Sequence, residues 1–257
     1  TLGEAYRVVV GMRYGNPSLE SALSTLREEG IDDIIVFPVY PQYAASSTGT
    51  ALRETFRLAG DLWNVPRLHV VPPFYDHEAT LEACAEVARP MYEEMVPDHV
   101  LFSFHGLPER HVVASDTTGQ WCLQHESCCH TLNEANRHCY RAQCYATAHG
   151  VASRLNLPEG TWSVAFQSRL GRTPWIQPYT DHVVVDLARQ GNRTVMVQCP
   201  SFVDDCLETL EEIGIRAQED FIADGGESLT LVPAVNASPR WIRAASELVK
   251  RAAPELD

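Results

Sequence analysis

The chain has 257 residues, a formal net charge of −14 at pH 7 and 45% hydrophobic residues. This composition is typical of a folded globular protein and argues against a disordered chain. A nucleic-acid-binding protein needs a basic surface, and the acidic balance of this chain does not favour one. The apolar runs fall short of the roughly 20 residues that span a bilayer, so we expect neither a nucleic-acid partner nor a transmembrane span.

Apolar, β-branched runs alternate with amphipathic stretches along the chain. The predicted strands are Arg7–Met12, Asp33–Val39, Leu68–Val71, Val100–Phe104, Ser163–Phe166, Thr194–Gln198 and Leu229–Val232. The predicted helices include Leu19–Glu29, Ala79–Met95, Val183–Gln190 and Trp241–Arg251. Such alternation predicts an α/β fold, in which helices flank parallel sheets on both faces.

We expect two lobes with a cleft between them. The N-terminal lobe is predicted to span residues 1–96, and the second lobe residues 97–236 with a cysteine-rich insertion at 122–144. Residues 237–257 are predicted to form a C-terminal helix that packs back on the first lobe.

Polar and aromatic sequences follow five of the predicted strands directly. They are GMRYGNP, FPVYPQYAASSTGT, SFHGLPERH, QSRLGRTPWIQPYTD and QCPSFVDDC. Because ligands of open α/β sheets bind outside the carboxyl ends of the strands, these loops predict a binding cleft. None of them contains the glycine-rich phosphate-binding patterns of nucleotide-binding proteins.

His105 stands between the apolar run VLFSF and the strand-breaking residues Gly106–Pro108. A histidine presented at the end of a strand can act as a base near neutral pH. The alternative interpretation is a histidine that is satisfied at the surface or in the core.

The acidic stretch DDCLETLEE brings several carboxylates close together in sequence. If it is helical, Asp205, Glu208 and Glu212 fall on one face. Carboxylate oxygens are hard ligands that suit a hydrated divalent cation. The alternative is a solvated acidic face at a helix N-terminus, which the helix dipole favours.

Aromatic residues and one cation recur in the predicted loops, namely Arg13, Tyr14, Tyr40, Tyr43, Trp175 and Tyr179. Stacking and arginine–carboxylate pairing would suit a flat, anionic, aromatic ligand. The alternative is that these aromatic side chains pack between the lobes, which applies most to Trp175.

The chain contains eight cysteines, and five of them lie between Cys122 and Cys144. In a chain without a recognisable export signal, such clustering favours metal binding or redox chemistry over structural disulfides. Cys139 and Cys144 are five residues apart, which is about 140° around a regular helix. A helix should therefore start or bulge between them if both face one metal centre.

Six motifs, in order along nearly the whole chain, resemble the ferrochelatases. They are RYGNPSLESAL, FPVYPQYAASSTGT, SFHGLPERH, QSRLGRTPWIQPYTD, FVDDCLETLEEIGI and GGESLTLVPAVNASPRWI. The resemblance implies two Rossmann-like lobes and the insertion of Fe²⁺ into protoporphyrin IX to form protohaem, the last step of haem biosynthesis. Coproporphyrin III as the substrate is one alternative, and a non-catalytic Fe–S or zinc protein that senses redox state or binds tetrapyrroles is another.

The resemblance also implies roles for single residues. His105 corresponds to the base that removes pyrrole protons, and Glu208 to its acidic partner across the porphyrin. Asp205 and Glu212 continue from Glu208 as a route for Fe²⁺ or protons. The implied porphyrin-binding residues are Arg13, Tyr14, Tyr40, Ser46, Ser47, Thr48 and Trp175.

The chain departs from the family pattern in two places. Family members usually begin with a further strand, a loop and a helical lip over the porphyrin, so we expect such residues to precede Thr1. Cys206 stands where many relatives carry histidine, and we expect it to be a plain small residue rather than a soft ligand.

The cysteine-rich segment resembles that of microbial ferrochelatases whose [2Fe–2S] ligands come from this internal region. The implied ligands are four of the five cysteines, namely Cys122, Cys129, Cys139 and Cys144, with Cys128 as the alternate. A structural zinc site on the same thiolates or a set of unliganded thiols are the alternatives. Because thiolates would hold the inserted iron too strongly, this site is expected to be separate from Glu208.

Porphyrin and ferrous iron are thus the expected partners. We expect a bacterial cytoplasmic protein, with peripheral contact to the inner membrane left open and no prediction of the oligomeric state.

Overall fold

The computed structural model describes residues 2–254, which form two compact units. One unit comprises residues 2–73 and 242–254, and the other comprises residues 74–241. The division between the units thus follows residue 73, whereas the sequence predicted it after residue 96.

The smaller unit contains a two-stranded parallel sheet in which Asp33 pairs with Arg67. Its elements are α1 (Leu19–Glu28), β1 (Asp33–Val36), a π-helical turn (Ala45–Gly49), α2 (Thr50–Gly60) and β2 (Arg67–Val70). Helix α1 begins where it does because the Ser18 hydroxyl accepts a hydrogen bond from the Ser21 amide at 3.1 Å.

The larger unit is built on a four-stranded parallel sheet. Its strands are β3 (His99–His105), β4 (Trp162–Gln167), β5 (Thr194–Gln198) and β6 (Ser228–Leu231), in the spatial order β4-β3-β5-β6. The helices of this unit are α3 (Glu78–Met95), α4 (Glu109–Ala114), α5 (Tyr140–Leu155), α6 (Thr180–Arg189), α7 (Leu207–Leu210) and α8 (Gln218–Ala223), with a π-helical turn at Glu212–Ala217. The last helix, α9 (Pro239–Ala252), belongs from residue 242 onward to the smaller unit.

Helices cover both faces of this sheet, as the predicted α/β fold requires. On one face Leu101, Val195 and Val197 pack into a buried cluster with Val184 of α6 and Phe221 of α8. On the other face lie α3 and α5, which contact β5 and β4 respectively. No helix in residues 2–254 is both long and apolar enough to cross a membrane.

Six of the seven predicted strands are confirmed, with ends that shift by up to three residues. The strand that begins at Asp33 ends at Val36, shortly before Pro38, whose nitrogen cannot donate to a ladder. The predicted strand Arg7–Met12 is wrong. Within the described residues it has a single bridge, between Met12 and Ser18, and the Val8 and Val10 side chains are exposed.

His99 makes the stability of the larger unit depend on pH. The residue opens β3, is buried, and its Nε2 atom lies 2.8 Å from the Ser163 hydroxyl. Burial lowers the pKa of His99 below its usual 6.5. As the pH falls below this value, the unfolded chain binds a proton that the native state resists, so the native state loses stability.

We therefore expect the unfolding midpoint to fall as the pH is lowered from about 7 towards the depressed pKa of His99. A His99→Gln variant keeps a polar side chain but cannot take up the proton, so its midpoint should fall less steeply. Thermal unfolding between pH 7 and pH 5 measures both slopes. His138→Gln, at an exposed histidine, is the matched control, and equal slopes in all three proteins would contradict the assignment.

Candidate active site

The carboxyl ends of β3 and β5 are the part of the larger unit where a ligand is expected. The chain leaves β3 to one side to form β4 and returns on the other side to form β5. In open α/β sheets, the crevice at such a reversal of strand order is the usual binding site. His105 is the last residue of β3, and the acidic stretch follows β5, so the sequence motifs meet at this edge.

The His105 imidazole is held in a defined orientation. Its Nδ1 atom lies 2.6 Å from the carbonyl oxygen of Gly106. A carbonyl only accepts, so Nδ1 carries the proton and Nε2 carries the lone pair that can act as a base. The half-buried ring is flanked by Trp175 and Phe202, each with its ring centre 6.3 Å away.

Gly106 allows the close approach of this strand end to β4. Its amide donates to the Gln167 carbonyl at 2.8 Å. A Cβ atom added at Gly106 would lie 2.9 Å from that same carbonyl oxygen and 3.2 Å from the Trp175 ring. A side chain at this position would therefore push the neighbouring His105 out of place.

Gln167 connects the sheet to the acidic segment, and sequence reasoning missed it. Its Oε1 atom accepts hydrogen bonds from the Ser103 hydroxyl at 2.7 Å and the Cys199 thiol at 3.5 Å. Its Nε2 atom donates to the Glu208 carbonyl oxygen at 2.6 Å and lies 3.4 Å from a Glu212 carboxylate oxygen. A buried amide with partners on both sides fixes this segment against the sheet. The available signal was a polar residue that ends an apolar strand, directly opposite His105 in register.

The acidic stretch does not form one continuous helical face. Helix α7 begins only at Leu207, so Asp205 lies before it, outside the helix. The Asp205 carboxylate accepts hydrogen bonds from the Ala234 amide at 3.0 Å and the Asn236 side chain at 2.7 Å. The expectation that Asp205 shares a helical face with the two glutamates is therefore wrong, because its oxygens instead hold the loop after β6.

The two glutamates differ in how their carboxylates are used. Glu212 accepts from the Ser168 amide at 2.7 Å and the Ser168 hydroxyl at 2.6 Å. The Glu208 carboxylate lies close to the Cys206 thiol, and burial, followed by the influence of Glu208, raises the pKa of Cys206. Glu208 therefore keeps more of its oxygen lone pairs for a ligand than Glu212 does. Cys206 is the N-cap of α7 and touches a site residue, which goes beyond the plain small residue we expected.

Trp175 is largely buried rather than open to a ligand. Its indole nitrogen donates to the Leu170 carbonyl oxygen at 3.0 Å, and its backbone bridges to Pro108. These contacts tie the loop after β4 to the loop after β3 and place the indole beside His105.

The smaller unit carries the other predicted porphyrin-binding residues. The Arg13 guanidinium lies over the Tyr14 ring, 4.5 Å from its centre, and Tyr14 is 70% exposed. The buried Arg13 Nε and Thr48 Oγ1 atoms have no hydrogen-bond partner within the described residues. Polar atoms buried in this way are typical of a site that a ligand completes.

The loop that contains Thr48 supplies the rest of this set. Tyr40 is exposed, Ser46 is exposed in the π-helical turn, and the Ser47 hydroxyl donates to the Ala44 carbonyl oxygen at 3.4 Å. The structure therefore gathers Ser46, Ser47 and Thr48 on one turn, as the motif predicted.

The five clustered cysteines are all buried. The sulfur atoms of Cys128 and Cys129 lie 3.3 Å apart, and those of Cys129 and Cys139 lie 3.6 Å apart. The nearby Cys122 thiol is the largest of the influences that raise the pKa of Cys139 to about 11, so three sulfurs are in direct contact and a fourth lies close to them. The Cys144 thiol lies against the Tyr140 hydroxyl. Within residues 2–254, no group of three or more His, Cys, Asp or Glu side chains is already arranged to hold a metal ion.

The local structure around these cysteines has two defined supports. Helix α5 begins at Tyr140 with Cys139 as its extended N-cap, which confirms that a helix starts between Cys139 and Cys144. The Asp116 carboxylate accepts from the Cys122 amide at 2.8 Å, and this bond, with others to residues 118–121, holds the pKa of Asp116 well below its usual range. The buried Arg141 guanidinium lies beside Cys129.

Comparison with known proteins places this site in a family. The ferrochelatase family model matches residues 1–253. A ferrochelatase of Pseudomonas fluorescens is 48% identical over 250 residues, which cover 97% of this chain and 73% of that protein. A ferrochelatase of Bdellovibrio bacteriovorus is 45% identical over 249 residues, with coverage of 97% and 73%.

Solved structures confirm the predicted chelatase-like fold. SirB from Bacillus subtilis with Fe³⁺ superposes with a TM-score of 0.61 at 16% identity, covering 96% of this chain and 82% of that one. The cobalt complex of the sirohydrochlorin chelatase SirB from B. subtilis subspecies spizizenii gives 0.57 at 15% identity, with coverage of 94% and 79%. At such identities the likeness concerns the fold alone. The family model and the relatives agree over almost the whole length, so the chain belongs to the ferrochelatase family.

Proposed function

We propose that the protein inserts Fe²⁺ into protoporphyrin IX and releases two protons, forming protohaem. The observation that carries the proposal is the orientation of His105. Its Nδ1–H donates to the Gly106 carbonyl, so its Nε2 lone pair is available at the strand reversal where a ligand is expected. The match of the chain to the ferrochelatase family over residues 1–253 supports the same reaction.

The chemistry divides between a base and a weak ligand. Metallation must remove two pyrrole protons, and in this proposal His105 Nε2 accepts them as a general base. Fe²⁺ must also lose water and then leave the protein for the porphyrin, which favours exchangeable oxygen ligands. Glu208 fits that role because its carboxylate contacts the Cys206 thiol rather than a set of backbone amides.

The remaining carboxylates of the predicted path have narrower roles in this proposal. Glu212 is held by both polar groups of Ser168, so it supports the path as a fixed negative charge. Asp205 orders the loop at residues 234–236 and contributes to the path through its charge rather than through free oxygens.

Porphyrin binding is assigned to the smaller unit's Arg13, Tyr14, Tyr40, Ser46, Ser47 and Thr48. Trp175, which the resemblance also implied, is buried and contributes in this proposal by packing beside His105. The partnerless Arg13 Nε and Thr48 Oγ1 atoms support this part of the proposal, because a bound polar group would satisfy them. A bacterial cytoplasmic location, with peripheral contact to the inner membrane, also stays part of the proposal.

A [2Fe–2S] cluster on the cysteine-rich segment is a separate proposal. Its ligands would be Cys122, Cys129, Cys139 and Cys144, with Cys128 as the alternate. The donor types suit the cluster, because the sulfurs of Cys128, Cys129 and Cys139 lie within 3.6 Å of a neighbour and the Arg141 cation beside Cys129 would offset the negative charge of thiolates. These contacts include the alternate Cys128, whereas the Cys144 thiol lies against Tyr140. The same thiolates would equally hold a structural zinc ion. A bound cluster would supply a one-electron redox centre.

A His105→Ala variant removes the proposed base. We expect its rate of iron insertion into protoporphyrin IX to fall about 100-fold or more, the usual contribution of a general base. A steady-state assay of haem formation measures the rate. His182→Ala, at an exposed histidine, is the control and should stay near the parent rate. Undiminished metallation by His105→Ala would contradict the assignment.

Glu208→Gln keeps the shape of the side chain and removes its charge. We expect a fall in the turnover rate of about 100-fold, because the amide is a poor acceptor for protons and for Fe²⁺. Glu211→Gln changes a glutamate in the same segment that pairs with Arg216 at the surface. If both variants lose the same activity, the effect belongs to the segment's charge and not to Glu208.

The cluster proposal is tested on anaerobically purified protein. We expect about two iron and two acid-labile sulfide per chain, with visible absorbance. Cys129→Ser and Cys139→Ser should lose both, while Cys84→Ala, a change in α3, should keep them. Comparing Cys128→Ser with Cys144→Ser identifies the fourth ligand. A colourless, iron-free parent protein would overturn the proposal, and stoichiometric zinc in that sample would favour the zinc alternative.

A further inference from the structure

Both backbone groups of His105 are bound by side chains from elsewhere in the larger unit. The His105 amide donates to the Ser201 hydroxyl oxygen at 3.2 Å. The His105 carbonyl accepts from the Tyr140 hydroxyl at 2.8 Å. The Ser201 hydroxyl is also close enough to the Tyr140 hydroxyl to influence its pKa. We call these two hydrogen bonds, which Tyr140 and Ser201 make to the backbone of His105, the His105 clasp.

The clasp replaces strand pairing at the point where β5 ends. The ladder between β3 and β5 stops at the pair of Phe102 and Gln198, and Pro200 has no amide proton to extend it. On the opposite side the pairing with β4 continues to His105 itself. Without the clasp, the β5-facing amide and carbonyl of His105 would be left without their ladder partners.

Tyr140 reaches this position from the start of α5. It is 7% exposed and is the first residue of the helix, directly after Cys139 at the N-cap. Its hydroxyl also contacts the Cys144 thiol. One buried phenol therefore lies between the cysteine-rich segment and the backbone of the proposed catalytic base.

We propose that Tyr140 and Ser201 are positioning residues that hold His105 in the orientation needed for proton removal, and that Tyr140 connects the cysteine-rich segment to the active site. The inference rests on the proposed function, because it assumes that His105 is the base. Neither Tyr140 nor Ser201 is proposed to contact the substrate, because both act through the backbone of His105. A base displaced by about 1 Å can lose about 100-fold in rate.

Tyr140→Phe deletes one hydroxyl and keeps the buried ring. We expect kcat for iron insertion to fall about 10- to 100-fold, with the KM for porphyrin within about twofold of the parent value, since binding contacts are unchanged. Ser201→Ala should behave in the same way, and Ser201→Thr, which retains the hydroxyl, should recover most of the rate. The clasp is wrong if Tyr140→Phe and Ser201→Ala both keep the parent kcat.

Tyr145→Phe is the matched control. Tyr145 lies on the same helix, and its hydroxyl accepts from Arg141 rather than contacting His105. We expect this variant to keep the parent kcat. Equal losses of kcat in Tyr140→Phe and Tyr145→Phe would assign the effect to packing of α5 and would overturn the positioning role.

A second measurement does not depend on turnover. The exchange rate of the His105 amide proton, followed by hydrogen–deuterium exchange, should rise in Tyr140→Phe and in Ser201→Ala but not in Tyr145→Phe. Unchanged exchange in both clasp variants would overturn the clasp. If the parent protein exchanges as expected but inserts no iron, the proposed function fails while the clasp stands, so the two failures are distinguishable.

Discussion

The early end of the ladder between β3 and β5 is the constraint on which the rest of the site depends. The last pair is Phe102 with Gln198, so the end of β3 extends beyond its neighbour. This offset lies at the strand reversal where a ligand is expected, and it leaves the β5-facing backbone groups of His105 without ladder partners. Leaving a buried backbone group unsatisfied costs about 1–3 kcal/mol. The sequence therefore has to supply other partners at this position, and it does so with hydroxyl groups.

On the β4 side, the Gln167 side chain holds the acidic segment against the sheet. It ends the neighbouring strand, opposite His105, and its amide joins the sheet to the backbone of Glu208. The oxygen and the nitrogen of the Gln167 side-chain amide both have hydrogen-bond partners. Rotating the amide by 180° would break these bonds, so the side chain has one favoured orientation. His105 and the acidic segment are therefore both held by the same two strands, β3 and β4. Their relative position depends on the sheet and not on the flexible ends of surface loops.

The elements that sequence analysis predicted best are those whose signal is local. The buried strands β3 and β5 are short apolar runs bounded by breakers, and the start of α5 followed from the angular separation of Cys139 and Cys144. The strand at Arg7–Met12 was wrong because pairing depends on a partner that the alternation of apolar residues does not reveal. Asp205 was misplaced because it bonds to a loop 29 to 31 residues further along. The role of Tyr140 could not be predicted for the same reason, since its hydroxyl donates to a residue 35 positions earlier.

The separation of thiol and carboxylate groups follows from what metal insertion demands. Iron in transit needs ligands that release it, and the hard oxygens of Glu208 suit that need better than thiolates, which bind borderline and soft metals strongly. In this chain the thiol cluster lies in the segment before α5, whereas Glu208 lies on α7 after β5. The two sites therefore need not compete for the same ion. The cysteine-rich segment is connected instead to His105, through the buried phenol of Tyr140, whose chain neighbour is Cys139 and whose hydroxyl donates to the His105 carbonyl. A change in the cysteine-rich segment that displaced the start of α5 would thus reach the base through one hydrogen bond, without any thiol entering the path of the iron.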